Sequence, residues 1–136
     1  LCFPDVRLKN YIKIRKHDSS SFDMVMALCA LYKGLCNCNF DELLSEFNFI
    51  NINDIDYYSE LIIEKGLNFK LKIGLEAWFV LEKILNYSKN SLEISEVKYL
   101  QPVFDILKNR KTFSDKISDL NICNSETLIT YLLNNK

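Results

Sequence analysis

The stretch KIGLEAWFVLEKIL, residues 72–85, has apolar side chains on every side of a helical wheel: Ile73, Leu75, Trp78, Phe79, Val80, Leu81, Ile84 and Leu85. A helix on the surface of a globular domain shows one apolar stripe and one wet face. A helix that is apolar all round must be enclosed, so the stretch is read as the central helix of a bundle, spanning about residues 69–87. Its expected core residues are Ile73, Gly74, Leu75, Ala77, Trp78 and Leu81. Gly74 costs about 1 kcal/mol against alanine inside a helix, and the expected reason for it is close approach of a neighbouring helix. Lys70, Lys72, Glu76, Glu82 and Lys83 lie within or beside the stretch, and nowhere does the chain offer about 18 uncharged apolar residues in a row. A membrane span is therefore not expected, and no basic-then-apolar secretory leader is read either.

The rest of the 136 residues supplies the enclosing helices. Only three glycines and two prolines interrupt the chain, which favours helices joined by short polar loops. Pro4 opens a first helix expected to run to His17. The serines before Phe22 mark the next boundary, with Ser20 as the expected cap and Asp23 as its capping-box partner. Phe22, Val25, Met26, Leu28, Cys29, Tyr32 and Cys36 then form a second apolar stripe. Asn39 to Glu42 opens a short third helix through Phe47, and a fourth covers Ile55 to Lys65, closed by Gly66. A sixth spans Leu92 to Lys108, with Val97, Leu100, Val103, Phe104 and Leu107 inward and Pro102 kinking or splitting it. Thr112 and Asp115 frame a seventh, and Asn124 or Ser125 caps a last one ending at Leu133. The expectation is a single all-α domain over residues 1–136, a bundle of seven to eight helices around a central hydrophobic one.

Catalytic and metal chemistry find little footing. His17 is the sole histidine, which leaves no visible nucleophile–base arrangement. Cys2, Cys29, Cys36, Cys38 and Cys123 are read as free thiols of a reducing compartment, and Cys36-Asn37-Cys38 falls short of a four-ligand zinc site. Gly34, Gly66 and Gly74 are isolated, so no phosphate-cradling loop is present. Asn86-Tyr87-Ser88 is read as a chance sequon. A formal net charge of -1 draws the chain to neither nucleic acid nor an anionic membrane. No metal, no cofactor, no nucleic acid and no membrane anchor are expected, and the chain is not expected to be an enzyme.

Three stretches carry a family resemblance. LKNYIKIR places Leu8, Tyr11, Ile12 and Arg15 in the pattern L-x-x-Y-I-x-x-R, which resembles the first helix of the poxvirus Bcl-2-like proteins. IGLEA, residues 73–77, is similar to the start of their central helix, with Glu76 where a cysteine is usual. Phe22, Val25, Met26 and Leu28 match the spacing of their second helix. The resemblance implies a Bcl-2-like fold, host-cell cytoplasm, and a non-enzymatic role. It further implies binding to host innate immune signalling proteins on the routes from Toll-like and interleukin-1 receptors to NF-κB and interferon regulatory factors. Val6, Leu8, Tyr11, Ile12 and Arg15 look nearest to members that target Toll/interleukin-receptor adaptors, while Asp5, Arg7 and Lys9 depart from that pattern.

On a helical wheel for the first helix, Leu8, Tyr11, Ile12 and the Arg15 stem share the inward side. Val6 and Ile14 point outward among Arg7, Asn10, Lys13 and His17, and these six residues form the expected partner-binding patch. Two other functions fit an all-helical chain. One is a death regulator holding a pro-apoptotic amphipathic helix in a surface groove. Its usual N-W-G-R motif is missing here, because Asn68-Phe69 is followed by Lys70-Leu71. The other is a non-catalytic assembly subunit. A homodimer through the first and sixth helices is compatible with the signalling and assembly readings.

Overall fold

The computed structural model describes residues 6–8, 12–14, 21–112, 115, 118–119 and 129–130. Helices dominate, which places the chain in the all-α class. They are α1 (Phe22–Asn37), α2 (Phe40–Glu46), α3 (Ile55–Lys65), α4 (Ala77–Asn90), α5 (Ile94–Val97) and α6 (Gln101–Asn109). A 3-10 turn, Ile52–Asp54, leads into α3, and another, Lys98–Leu100, joins α5 to α6.

The expected first helix is corrected. Val6–Leu8 and Ile12–Ile14 are strands β1 and β2 of an antiparallel hairpin, with Val6 opposite Ile14, Arg7 opposite Lys13 and Leu8 opposite Ile12. The physical reason is already in the letters. Val-Arg-Leu and Ile-Lys-Ile alternate apolar and basic residues with period two, and β-branched Val and Ile favour the pleated backbone. The remainder of the expected helix lies outside the described residues.

The centre of the fold is the packing of α1 on α4, the second 3-10 turn and α6. Ala27, Leu85 and Val103 form its buried core, with Met24, Leu31, Leu81, Phe104 and Leu107 packed around them. The buried face of α1 consists of Ala27, Ala30 and Gly34, all small, at the i, i+3, i+7 spacing of one helix side. A Cβ built on Gly34 would overlap the Ser88 hydroxyl and carbonyl oxygen and lie 2.8 Å from the carbonyl carbon. Gly34 thus lets α1 and α4 approach at this point. Ser88 is fully buried and satisfies its hydroxyl by donating to the Leu31 carbonyl at 3.0 Å.

That contact relocates the glycine argument. Gly74 was expected inside the central helix, but it lies in a turn at φ +88° with open space where a side chain would be. Its N–H donates to the Leu71 carbonyl, the Leu71 N–H donates to the Leu75 carbonyl, and the backbones of Lys70 and Glu76 form an isolated antiparallel β-bridge. The helix therefore starts at Ala77 and not near residue 69, because a positive φ is incompatible with helical propagation. Ile73 and Gly74 are corrected with it: both are exposed, Ile73 by 51%. Leu75 and Leu81 are half-buried, and Ala77 and Trp78 are buried. Nor is α4 apolar on every side in its setting. Phe79, Glu82, Asn86 and Lys89, spaced by three and four, give it an exposed stripe.

The capping chemistry explains most of the other boundaries. Ser21, and not Ser20, caps α1 by accepting from the Met24 N–H. Asn39 caps α2 by accepting from the Glu42 N–H. Gly66 closes α3 at φ +59°, donating to the Ile62 carbonyl. Pro102 sits in the first turn of α6, where its missing N–H is harmless, so the expected split falls just before it and leaves Leu100 as a fully buried wedge. Thr112 and Asp115 form a reciprocal capping box: Asp115 Oδ2 accepts from the Thr112 hydroxyl and N–H at 2.7 Å each, and Thr112 Oγ1 accepts from the Asp115 N–H.

α2 and α3 bury no residue. They are held at their edges, by an ion pair between Glu46 and Lys83 of α4, by the Lys72–Asp54 pair, and by Tyr58 stacked on Phe69 while its hydroxyl accepts from the Lys72 N–H.

Lys33 of α1 donates to Glu96 of α5 at 2.5 Å. That hydrogen bond outweighs partial desolvation, holding the Glu96 carboxyl below the usual carboxylate range and Lys33 above its own. A carboxylate depressed in the folded state stabilises above its unfolded pKa, and the contribution disappears as pH falls through the folded value. The melting temperatures of the wild type and Glu96→Gln should therefore differ at neutral pH and converge in acid. A gap that persists in acid would show that Glu96 acts by packing and not by charge.

Candidate protein-binding surfaces

Two surfaces stand out, and α1 builds the first. Its sixteen residues carry only two charges, Asp23 in the first turn and Lys33, already paired with Glu96. One face, Ala27, Ala30 and Gly34, is spent on the core. Nearly opposite lie Phe22, Val25, Cys29 and Cys36, all exposed, with half-buried Tyr32 completing a three-and-four spacing. Phe22 is 77% exposed and Val25 42%. α1 thus carries an exposed apolar row nearly opposite its packed face, with exposed Asp23, Lys33 and Asn37 along one side between them. The residues read as its inward stripe point partly outward, because the close α1–α4 approach admits only small side chains.

The second surface is an open groove of about 790 Å³ between α4 and α6. The two helices run antiparallel: Glu76, at the start of α4, pairs with Arg110, just past α6, at 3.0 Å, while Leu85 meets Val103 further along. Trp78, Phe79, Phe104 and Leu107 supply the apolar lining, with Leu75 at the turn. The Trp78 indole N–H donates to Asn68 Oδ1 at 3.0 Å, so its orientation is fixed. Arg110 holds a left-handed backbone, φ 49°, unusual for a side chain-bearing residue. A second hollow of about 200 Å³ shares Lys70, Glu76, Trp78 and Arg110 with the first.

The groove lining mixes charges: Lys70, Lys108 and Arg110 line it together with Glu76, Glu82 and Asp105, and Lys108 lies one turn beyond Asp105 on α6. Arg110 is bound to Glu76, and Asp105 accepts from Gln101 at 2.8 Å. Lys70, Lys108 and Glu82 have no ion-pair partner among the described residues.

The expected partner-binding residues fall elsewhere. Val6 and Arg7 are on β1, Lys13 and Ile14 on β2, and the hairpin sets Val6 against Ile14 and Arg7 against Lys13 in register. Four of the six are thereby brought together, on strands and not on a helix wheel. Asn10 and His17 lie outside the described residues. Sequence reasoning missed the groove residues Phe104, Asp105, Lys108 and Arg110. Their signal was the i, i+3, i+4, i+7 run of Gln101, Phe104, Asp105 and Lys108, one polar-edged side of α6.

Cys29 and Cys36 are free and exposed, and Cys38 donates to the Leu35 carbonyl at 3.1 Å. No cluster of metal-ligating side chains occurs among the described residues, and no helix among them is long and apolar enough to cross a membrane. Comparison with known protein families, with characterised proteins and with solved structures returns no match.

Proposed function

We propose that this chain is a non-catalytic, Bcl-2-like binding protein of the poxvirus type that occupies a host innate signalling protein in the cytoplasm and lowers NF-κB and interferon responses. The observation that carries the binding reading is α1, packed on one face through Ala27, Ala30 and Gly34 and exposing an apolar row nearly opposite through Phe22, Val25, Cys29 and Cys36. A contiguous apolar row of this kind is what a protein-binding surface presents. Support for the finer architecture comes from the order of helices from α1 to α6 and from Phe22, Val25, Met26 and Leu28, which lie on α1. The target class rests on the family resemblance. Residues 73–77, its second motif, form the turn into α4 and its first residue, and the first motif falls partly on the hairpin.

The test is an NF-κB reporter in cells stimulated through an interleukin-1 receptor. The wild type should suppress the reporter, and Val25→Asp/Cys29→Asp should not, while its stability stays within about 1 kcal/mol of wild type for two exposed substitutions. No suppression by the wild type, or equal suppression by the variant, would overturn the reading.

A further inference from the structure

We infer that Tyr57 is a phosphorylation site for a protein kinase with a basic substrate cleft, and that Lys72 holds the added phosphate. The inference goes beyond the binding reading above and does not rest on it. The described tyrosines are Tyr32, Tyr57, Tyr58, Tyr87 and Tyr99. Tyr32, Tyr58 and Tyr87 are half-buried; Tyr58 stacks on Phe69 with its hydroxyl engaged, and the Tyr87 ring lies near that of Phe47. Tyr57 is 45% exposed and Tyr99 39%. Exposure therefore leaves two candidates.

Charge and local stability choose between them. Asp54 and Asp56 precede Tyr57 and Glu60 follows it, whereas Lys98 stands directly before Tyr99. A basic cleft attracts the first segment more strongly than the second. A kinase takes its substrate extended, so the first turn of α3 has to open. α3 buries no residue, and that turn lacks a side-chain cap, the Asp54 carboxylate being paired with Lys72 at 2.5 Å. Tyr99 adjoins fully buried Leu100, so freeing it disturbs the core. In the kinase, Tyr57 Oη attacks the γ-phosphorus of ATP and the bond to the bridging oxygen breaks. ADP leaves, and the hydroxyl proton passes to the kinase's catalytic aspartate. The product carries about −1.5 to −2 of new charge. The Lys72 ammonium, 5.0 Å from the centre of the Tyr57 ring, is placed to meet it.

The experiment incubates the folded full chain with ATP and a tyrosine kinase that prefers acidic substrates, and maps the phosphate by mass spectrometry. Tyr57 should be modified about tenfold faster than Tyr58 or Tyr99, because its segment opens more easily. Tyr57→Phe should remove the signal at that position while Tyr58→Phe leaves it. Asp56 has no ion-pair partner among the described residues, and Asp56→Asn should slow the reaction about twofold to fivefold. In the phosphorylated chain, Lys72→Met should raise the midpoint of the phosphate titration, followed by phosphorus NMR, by about 0.2–0.7 pH unit, since a neighbouring cation favours the dianion. Lys72→Met leaves in place the backbone N–H that donates to the Tyr58 hydroxyl. Equal rates at Tyr58 or Tyr99, no modification, or modification only after the chain has been unfolded would overturn the inference. A rate untouched by Asp56→Asn would remove the acid-directed kinase, and an unmoved midpoint would remove Lys72 from the site.

Discussion

Leu85→Ala should lower the stability of the protein by about 2–5 kcal/mol, whereas Ile73→Ala, in the same apolar stretch, should change it by no more than about 0.5 kcal/mol. The two residues are alike in hydrophobicity and opposite in setting. Leu85 is fully buried between Ala27 and Val103, one residue from each of three helices, so its removal leaves a cavity that no single helix can close. Ile73 is half exposed in the turn before α4. Denaturant midpoints at unchanged slope give the comparison directly. Equal losses at the two sites would return residue 73 to the core and remove the turn at Gly74.

The second large effect is expected at Gly34→Val. Overpacking costs about 1–3 kcal/mol and sometimes more, and here the obstacle includes the backbone carbonyl of Ser88, which cannot swing aside like a side-chain tip. The helix propensity gained over glycine is under about 1 kcal/mol, too little to offset this. A fall in melting temperature of roughly 10 °C follows for a chain of this size. Adding Ser88→Gly removes the whole hydroxymethyl side chain but leaves the backbone carbonyl in place, so the double variant should recover little. Full recovery would mean that the side chain alone set the helix spacing.

Local signals were legible and facial ones were not. Asn39, Gly66, Pro102 and the Thr112–Asp115 pair each act through their own backbone neighbourhood, and their structural roles follow from residue type and position. Choosing which side of α1 faces α4 needed information that periodicity lacks. Both of its faces repeat every three to four residues, and the large apolar side chains that suggest burial lie opposite the small ones that permit it. Ala27, Ala30 and Gly34 were the available signal. Periodicity failed in a different way at residues 6–14, where β-branched residues two apart satisfy a strand as well as a helical wheel. At Gly74 a positive φ could not be told from a close helix crossing, since glycine serves both. The groove was hidden because it depends on α4 and α6 running antiparallel with their charged ends in step.

The absence of buried residues in α2 and α3 has a consequence for how the molecule yields under load. The buried core lies where α1, α4 and α6 meet, so native-state hydrogen exchange is expected to show the amides of α2 and α3 opening before those of α1 and α4. The arm they form carries Phe40, Ile52 and Ile63 with more than half of each exposed. Heat or denaturant should therefore expose this arm to proteases before the α1–α4–α6 trio yields.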